Sequence, residues 1–213
     1  MKKTLLAIAL IVIIILVGLA LTRNTASETV DNEETEKQDQ QNQEQPSGEN
    51  IQAVTSAKAS YIAKKGWFNK PHEEVTGSTS DVSGYISYDS ESQMLTELNI
   101  EIDDQTFSTG NGGRDGDVRK MFSDAGNIVV TLAESVELPA GEFEASIPLV
   151  IEINGVKQTV NFQVQGTVSE TSSSASGSAD ITFEQFGMDA PSAAGIFNVA
   201  NDLTVEFEIE TRA

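Results

Sequence analysis

Residues 147–166, IPLVIEINGVKQTVNFQVQG, contain a β-hairpin whose register can be written from the sequence. Asn154-Gly155 suits the two central positions of a type I′ turn, because both positions need positive φ. A turn there places Ile153 opposite Val156 and brings every second apolar residue onto one face of both arms. A slip of one residue would expose that whole row to water, so the register is predicted together with the turn.

The predicted inner-face pairs are apolar except for one glutamine: Ile153–Val156, Ile151–Gln158, Leu149–Val160, Ile147–Phe162 and Ala145–Val164. The outer-face pairs are mostly polar: Glu152–Lys157, Val150–Thr159, Pro148–Asn161 and Ser146–Gln163. Arms of about nine residues span about 30 Å at about 3.3 Å per residue. Strands of that length suit a barrel or a sandwich that encloses an apolar interior.

The same period-two alternation recurs on both sides of the hairpin. Leu98, Ile100 and Ile102 share one face of a strand, and residues 203–210 alternate large apolar side chains with Thr and Glu. The patterns predict strands near residues 59–64, 82–88, 95–103, 128–132, 179–183 and 203–209. Long antiparallel strands in up-and-down order close most simply into a barrel, with a sandwich as the alternative.

Two segments are predicted to lie outside the strands. Residues 115–124 predict a short helix, with Asp115 as the N-cap. Residues 169–178, SETSSSASGS, are of low complexity and predict a mobile loop between two late strands.

The composition excludes several classes of function. The 213 residues carry a formal net charge of −20, which opposes binding to nucleic acid. The absence of cysteine excludes disulfides, thiolate catalysis and zinc–thiolate sites.

The chain is predicted to have three parts. Residues 1–23 form an N-terminal membrane anchor or signal segment, because two lysines precede an uncharged apolar run at residues 4–22 that is long enough to cross a bilayer. Residues 24–50 are acidic and Gln-rich and predict a disordered linker. Residues 51–213 form the β domain. The charge asymmetry places the N-terminus in the cytoplasm and the β domain outside the cytoplasmic membrane, in the periplasm or at the cell surface.

The sequence offers little for catalysis or metal binding. The single histidine, His72, lies in a polar stretch, and no nucleophile motif accompanies it. Residues 111–117, NGGRDGD, loosely resemble a calcium loop but lack its ligand spacing, so a glycine-rich connection before the helix is preferred. We therefore expect neither an enzyme nor a metal site.

Trp67 and Phe68 follow the first predicted strand directly. These aromatic side chains are either core residues or part of the mouth of a barrel.

Several of these segments, in order, resemble the YceI-like, polyisoprenoid-binding family. The resemblance is carried by VTGSTSDVSGYISYD (75–89), LNIEID (98–103), TFST (106–109), the hairpin at 147–166, and Phe186-Gly187-Met188 with NDLTV (201–205). It implies an all-β fold, an extended eight-stranded antiparallel lipocalin-like β-barrel with one short helix. It also implies a secreted or periplasmic location.

The resemblance implies that the barrel lumen holds a small-molecule lipid, an isoprenoid or a quinone, and no other cofactor. The predicted lumen-lining residues are the inward-facing apolar side chains Ile86, Leu98, Ile100, Val130, Leu149, Ile151, Val160, Phe162, Val164, Ile181, Phe183, Val205 and Phe207. The expected function is storage or transport of a long-chain isoprenoid or similar amphiphile. The alternative is a ligand-free structural or interaction module at the cell surface, because small barrels also fill such a row with their own side chains.

Overall fold

The computed structural model describes residues 50–67, 70–122 and 126–213. The strands, in chain order, are β1 Ile51–Trp67, β2 Lys70–Thr79, β3 Val82–Asp89, β4 Met94–Ile102, β5 Ile128–Leu132, β6 Val136–Glu137, β7 Gly141–Ile153, β8 Val156–Val168, β9 Ser172–Thr182, β10 Ser192–Ala193 and β11 Phe197–Arg212. One α-helix, α1 (Gly112–Arg119), and two 3-10 turns, Asp104–Thr106 and Glu184–Phe186, complete the described part.

Eight of the strands close a ring in the order β1-β3-β4-β5-β7-β8-β9-β11, because β11 pairs back onto β1. All of the pairings are antiparallel. β2 pairs with β1 in the same register as β3, so β2 and β3 act as one long strand interrupted near Asp81. The predicted eight-stranded antiparallel barrel with one helix is confirmed in these residues.

The hairpin formed by β7 and β8 has the predicted turn and register. Asn154 and Gly155 have φ values of 52° and 78°, and Ile153 lies opposite Val156. The pairing runs out to Gly141 opposite Val168, so each arm has 13 residues rather than about nine.

The prediction of a mobile loop at residues 169–178 is wrong. Residues from Ser172 onward form β9, which pairs with β8 on one side and β11 on the other. Serine, alanine and glycine have low strand propensity, but two paired neighbours supply hydrogen bonds to both edges of this strand. Tertiary pairing therefore overrides the local composition.

The helix also begins earlier than predicted. Asn111, not Asp115, is the N-cap, and its side chain accepts hydrogen bonds from the backbone N–H groups of Gly113 and Arg114. Asp115 lies inside α1 and is buried, where it accepts from Ser108 Oγ at 3.0 Å and from the Thr109 backbone N–H at 2.8 Å. This carboxylate fastens the helix to the preceding loop.

We expect acid to weaken this attachment. The hydrogen bonds from Thr109 and then Ser108 lower the pKa of Asp115 below its ordinary value of 3.8. The stabilisation is therefore complete above about pH 5 and is lost as the pH falls through the lowered pKa. Thermal unfolding between about pH 5 and pH 2 should show a steeper decline for the natural chain than for Asp115→Asn. Equal slopes would contradict this role. Burial raises the pKa of Asp104, so Asp104 has the opposite effect on the pH dependence of stability. This effect is the same in both proteins and does not alter the comparison.

One end of the barrel carries buried polar groups. Gln52 is fully buried; its amide donates to the Ser169 carbonyl at 2.7 Å, and its Oε1 accepts from Ser173 and Thr211. Tyr88, also fully buried, donates to the carbonyl of Leu138 at 3.0 Å. The hydrogen bonds of Gln52 link the neighbouring strands β1, β9 and β11 at this end.

The predicted membrane segment, residues 4–22, and the predicted linker, residues 24–50 apart from Asn50, lie outside the described residues. Among residues 50–67, 70–122 and 126–213, no helix is long and apolar enough to cross a bilayer.

Candidate functional site

The barrel encloses a cavity of about 590 Å³. Its walls run from Val168 and Thr211, near Gln52, to Trp67 and Phe197 at the other end. The volume falls within the usual range of small-molecule sites, about 300–1,000 Å³. The inner faces of the strands are therefore not packed against one another along the whole barrel.

Small side chains on two strands account for this space. Ala57, Ala59 and Ala63 on β1, together with Ser173 and Ala175 on β9, line the cavity. Large residues at these five positions would fill a barrel of eight strands. The lumen therefore stays open because β1 and β9 contribute little volume.

Glycines on the inner face allow aromatic rings to lie flat against the wall. A Cβ atom at Gly177 would come within 2.7 Å of the Phe207 ring, which lies across the strand pair from it. Gly77 lies in the same way beneath its cross-strand partner Tyr61. The rings thus cover backbone instead of crossing the lumen.

Most of the residues predicted to line the lumen do line this cavity. They are Ile86, Leu98, Ile100, Val130, Leu149, Ile151, Phe162, Val164, Ile181, Phe183, Val205 and Phe207. Val160 does not line it and is partly buried against the core. The 3-10 turn Glu184–Phe186 packs on β8 at this level, where Gln158 donates to the Gln185 carbonyl at 2.8 Å.

The sequence analysis missed the small residues of β1 and β9 and the part of the wall formed by α1. Val118 on α1, with Met121 and Phe122 just after it, lines the cavity. One signal in the sequence could have found β9. Ala175, Gly177 and Ala179 fall at every second position and lead to Ile181, so they lie on the same face of a strand as Ile181.

The largely apolar wall also contains polar groups, and the hydroxyl of Tyr61 is one of them. The Tyr61 hydroxyl is buried and has no hydrogen-bond partner among the described residues. Burial, and then the charge of Asp115, raises the pKa of Tyr61 to about 12, and Arg114 opposes this. Tyr61 therefore stays neutral at any physiological pH.

The end opposite Gln52 carries the aromatic residue that the sequence placed there. Trp67 lines the cavity and remains 36% exposed, so the lumen reaches solvent at this end. Its ring lies 6.0 Å from that of Phe197, and Lys65 Nζ lies over both rings. Phe68, predicted with Trp67, lies outside the described residues.

The carboxylates of residues 111–117 are already engaged. Asp115 is held by Ser108 and Thr109, and Asp117 pairs with Lys120 at 2.9 Å. In residues 50–67, 70–122 and 126–213, no three His, Asp or Glu side chains are grouped as metal ligands. His72 is exposed on β2.

Eight antiparallel strands in up-and-down order thus enclose a largely apolar cavity. The family model for the YceI-like domain matches residues 45–211. The chain belongs to the YceI-like family. No curated protein sequence matches it.

Solved structures share the barrel. A polyisoprenoid binding domain from Saccharophagus degradans implicated in plant cell wall breakdown has 17% identity and a TM-score of 0.61, and the match covers 78% of this chain and 99% of that one. Burkholderia cenocepacia BcnA has 16% identity and a TM-score of 0.55, with 72% and 95% covered. The Campylobacter jejuni YCEI protein has 17% identity and a TM-score of 0.54, with 66% and 86% covered. At these identities the likeness establishes the fold alone.

Proposed function

We propose that this protein binds a long-chain isoprenoid or similar amphiphile in the barrel lumen, for storage or transport. The observation that carries the proposal is the cavity of about 590 Å³ with a largely apolar wall. A cavity of this kind favours an apolar guest, since each methylene moved out of water contributes about 0.8 kcal/mol before ordering costs. A structural relative, the domain from Saccharophagus degradans, is a polyisoprenoid binding domain, which agrees with this class of ligand.

The proposed mechanism is binding without catalysis. The accessible surface of the wall is largely apolar, and the Asp115 carboxylate near it holds hydrogen bonds within its own loop. The tail would lie in the lumen along β1 and β9, where the alanines leave room. Ligand selection then depends on tail shape and on the groups at the Trp67 end.

We also propose that residues 4–22 anchor the chain in the cytoplasmic membrane, with residues 24–50 as a tether. The positive charge at Lys2 and Lys3, followed by an acidic segment, favours an N-terminus in the cytoplasm and a barrel outside it. This arrangement would keep the lumen within reach of membrane lipids.

The test is to identify what the purified full-length chain carries. The chain is isolated from its own host, extracted with organic solvent, and the extract is analysed by mass spectrometry against an extract of Ala175→Phe, whose lumen is narrowed at a lining position. We expect a discrete isoprenoid or other long-chain amphiphile in stoichiometric amount. A chain that carries nothing and takes up no added isoprenoid quinone would favour the alternative, a ligand-free interaction module that uses its acidic outer face.

A further inference from the structure

The inner row of β1 contains a lysine where the pattern calls for an apolar residue. Ala59, Tyr61, Ala63, Lys65 and Trp67 alternate toward the lumen, and all five line the cavity. A residue that breaks the inside–outside pattern of a strand without a structural benefit is typical of a functional site. Lys65 is half-buried near the end of the lumen that reaches solvent.

The ammonium group of Lys65 is held in place by aromatic rings. Nζ lies 4.1 Å from the centroid of the Trp67 ring and 4.4 Å from that of Phe197. The lysine stem thus contributes to the apolar wall while the charge is fixed at the rim, where these rings attract it. A charge held in this way loses less freedom on binding a ligand than a lysine in solvent does.

Among the described residues, the Lys65 ammonium has no anionic partner. Within residues 50–67, 70–122 and 126–213, no carboxylate lies within 4.0 Å of Lys65 Nζ. Its cross-strand neighbour Glu73 faces the same side of the sheet, yet its carboxylate stays outside this distance. The adjacent outward-facing Lys64, in contrast, approaches Asp202 at 4.0 Å. A half-buried cation without a counter-ion favours a ligand that brings one.

We propose that the amphiphile in the lumen is anionic and that Lys65 binds its acidic headgroup, a carboxylate or a phosphate, beside Trp67 and Phe197. This inference rests on the proposed function, and it adds the charge class of the ligand. The apolar tail extends from Lys65 past Ala63 and Ala59 toward the end that carries Gln52. Charge-assisted hydrogen bonds from the ammonium then fix the headgroup at the rim.

A natural fluorophore lies beside the proposed headgroup site. Trp67 is the single tryptophan of the sequence, and its ring contacts the proposed headgroup site. Fluorescence emission of the full-length chain therefore reports an amphiphile bound beside Lys65. Three probes with the same 14-carbon tail separate charge from hydrophobicity: tetradecanoate, tetradecanol and tetradecyltrimethylammonium.

The experiment titrates each probe into the natural chain, Lys65→Met and Lys64→Met. Lys65→Met keeps an unbranched apolar stem and removes the charge. We expect Lys65→Met to lower the affinity for tetradecanoate about tenfold, because a charge-assisted contact is lost. The affinity for tetradecanol should change by no more than about twofold. Lys64→Met, the matched outward-facing control, should bind all three as the natural chain does. The natural chain should bind tetradecyltrimethylammonium most weakly.

The outcomes separate this inference from the function on which it rests. If no probe binds, the proposed function fails as well. If tetradecanoate and tetradecanol bind equally and Lys65→Met changes neither, lipid binding stands and the role of Lys65 is overturned. Inorganic phosphate alone should not change Trp67 emission. A response to phosphate without any response to amphiphiles would make Lys65 a site for a free anion and overturn the proposal.

Discussion

Ala175→Phe is expected to abolish amphiphile uptake while the barrel remains folded. Ala175 faces the lumen on β9, opposite Gly166, which has no side chain to obstruct a ring. A phenyl group there occupies the space of about four methylenes. At about 0.8 kcal/mol each, their loss weakens binding by about 3 kcal/mol, or more than about a hundredfold. Titration with tetradecanoate, followed by Trp67 emission, measures the change.

The matched control for this substitution is Ser174→Phe. Ser174 is the exposed neighbour on the same strand and points away from the lumen. Its affinity for tetradecanoate should equal that of the natural chain. Overpacking at position 175 costs about 1–3 kcal/mol of stability, so circular dichroism and thermal unfolding must show that Ala175→Phe is folded. A folded Ala175→Phe that binds normally would mean that the lumen is not the ligand site.

Leu149→Glu is expected to prevent stable folding. Leu149 is 4% exposed, lies opposite Val160 and packs in the main apolar cluster. The substitution removes a buried apolar side chain and places a charge in its position, which together cost about 4–6 kcal/mol. This is comparable to the total free energy of unfolding of a typical domain, about 5–15 kcal/mol. Urea unfolding measures the difference.

Val150→Glu provides the comparison on the outer face of the same strand. Val150 is half-buried and lies opposite the exposed Thr159. We expect Val150→Glu to lower the free energy of unfolding by about 1 kcal/mol or less, since a surface charge remains hydrated. Equal losses at positions 149 and 150 would contradict the inward orientation of Leu149, whatever the ligand.

The hairpin and the strand order were predictable because they depend on local signals. Asn154-Gly155 determines a turn, the turn determines the register, and alternation determines which face is buried. β9 was not predictable in this way, because its residues form a strand only through pairing with β8 and β11. The start of α1 was predicted wrongly because Asp115 was taken as its N-cap, whereas Asn111 is the N-cap; both residue types are favoured at that position.

The candidate site was predictable only on one side. The large apolar residues, such as Phe162 and Val205, follow from period-two patterns, and they do line the cavity. A list of large residues, however, describes a filled core as well as an open lumen. The alanines of β1 and β9 distinguish an open lumen from a filled core. Their effect is visible only in the closed barrel, where the inward-facing residues of all eight strands face one another. Lys65 was missed for a similar reason, since its contact with Phe197 joins positions 132 residues apart (197 − 65).

Gln52 is fully buried and hydrogen-bonded at one end of the barrel, whereas Trp67 is exposed at the other, so we expect a guest to pass only the Trp67 end. A guest that enters tail first there leaves head first by the same route. One molecule must depart before another can follow, and cargo cannot be pushed through by a successor. Delivery then requires that a bilayer or an acceptor meet that same rim, which makes loading and unloading two directions of a single docking event.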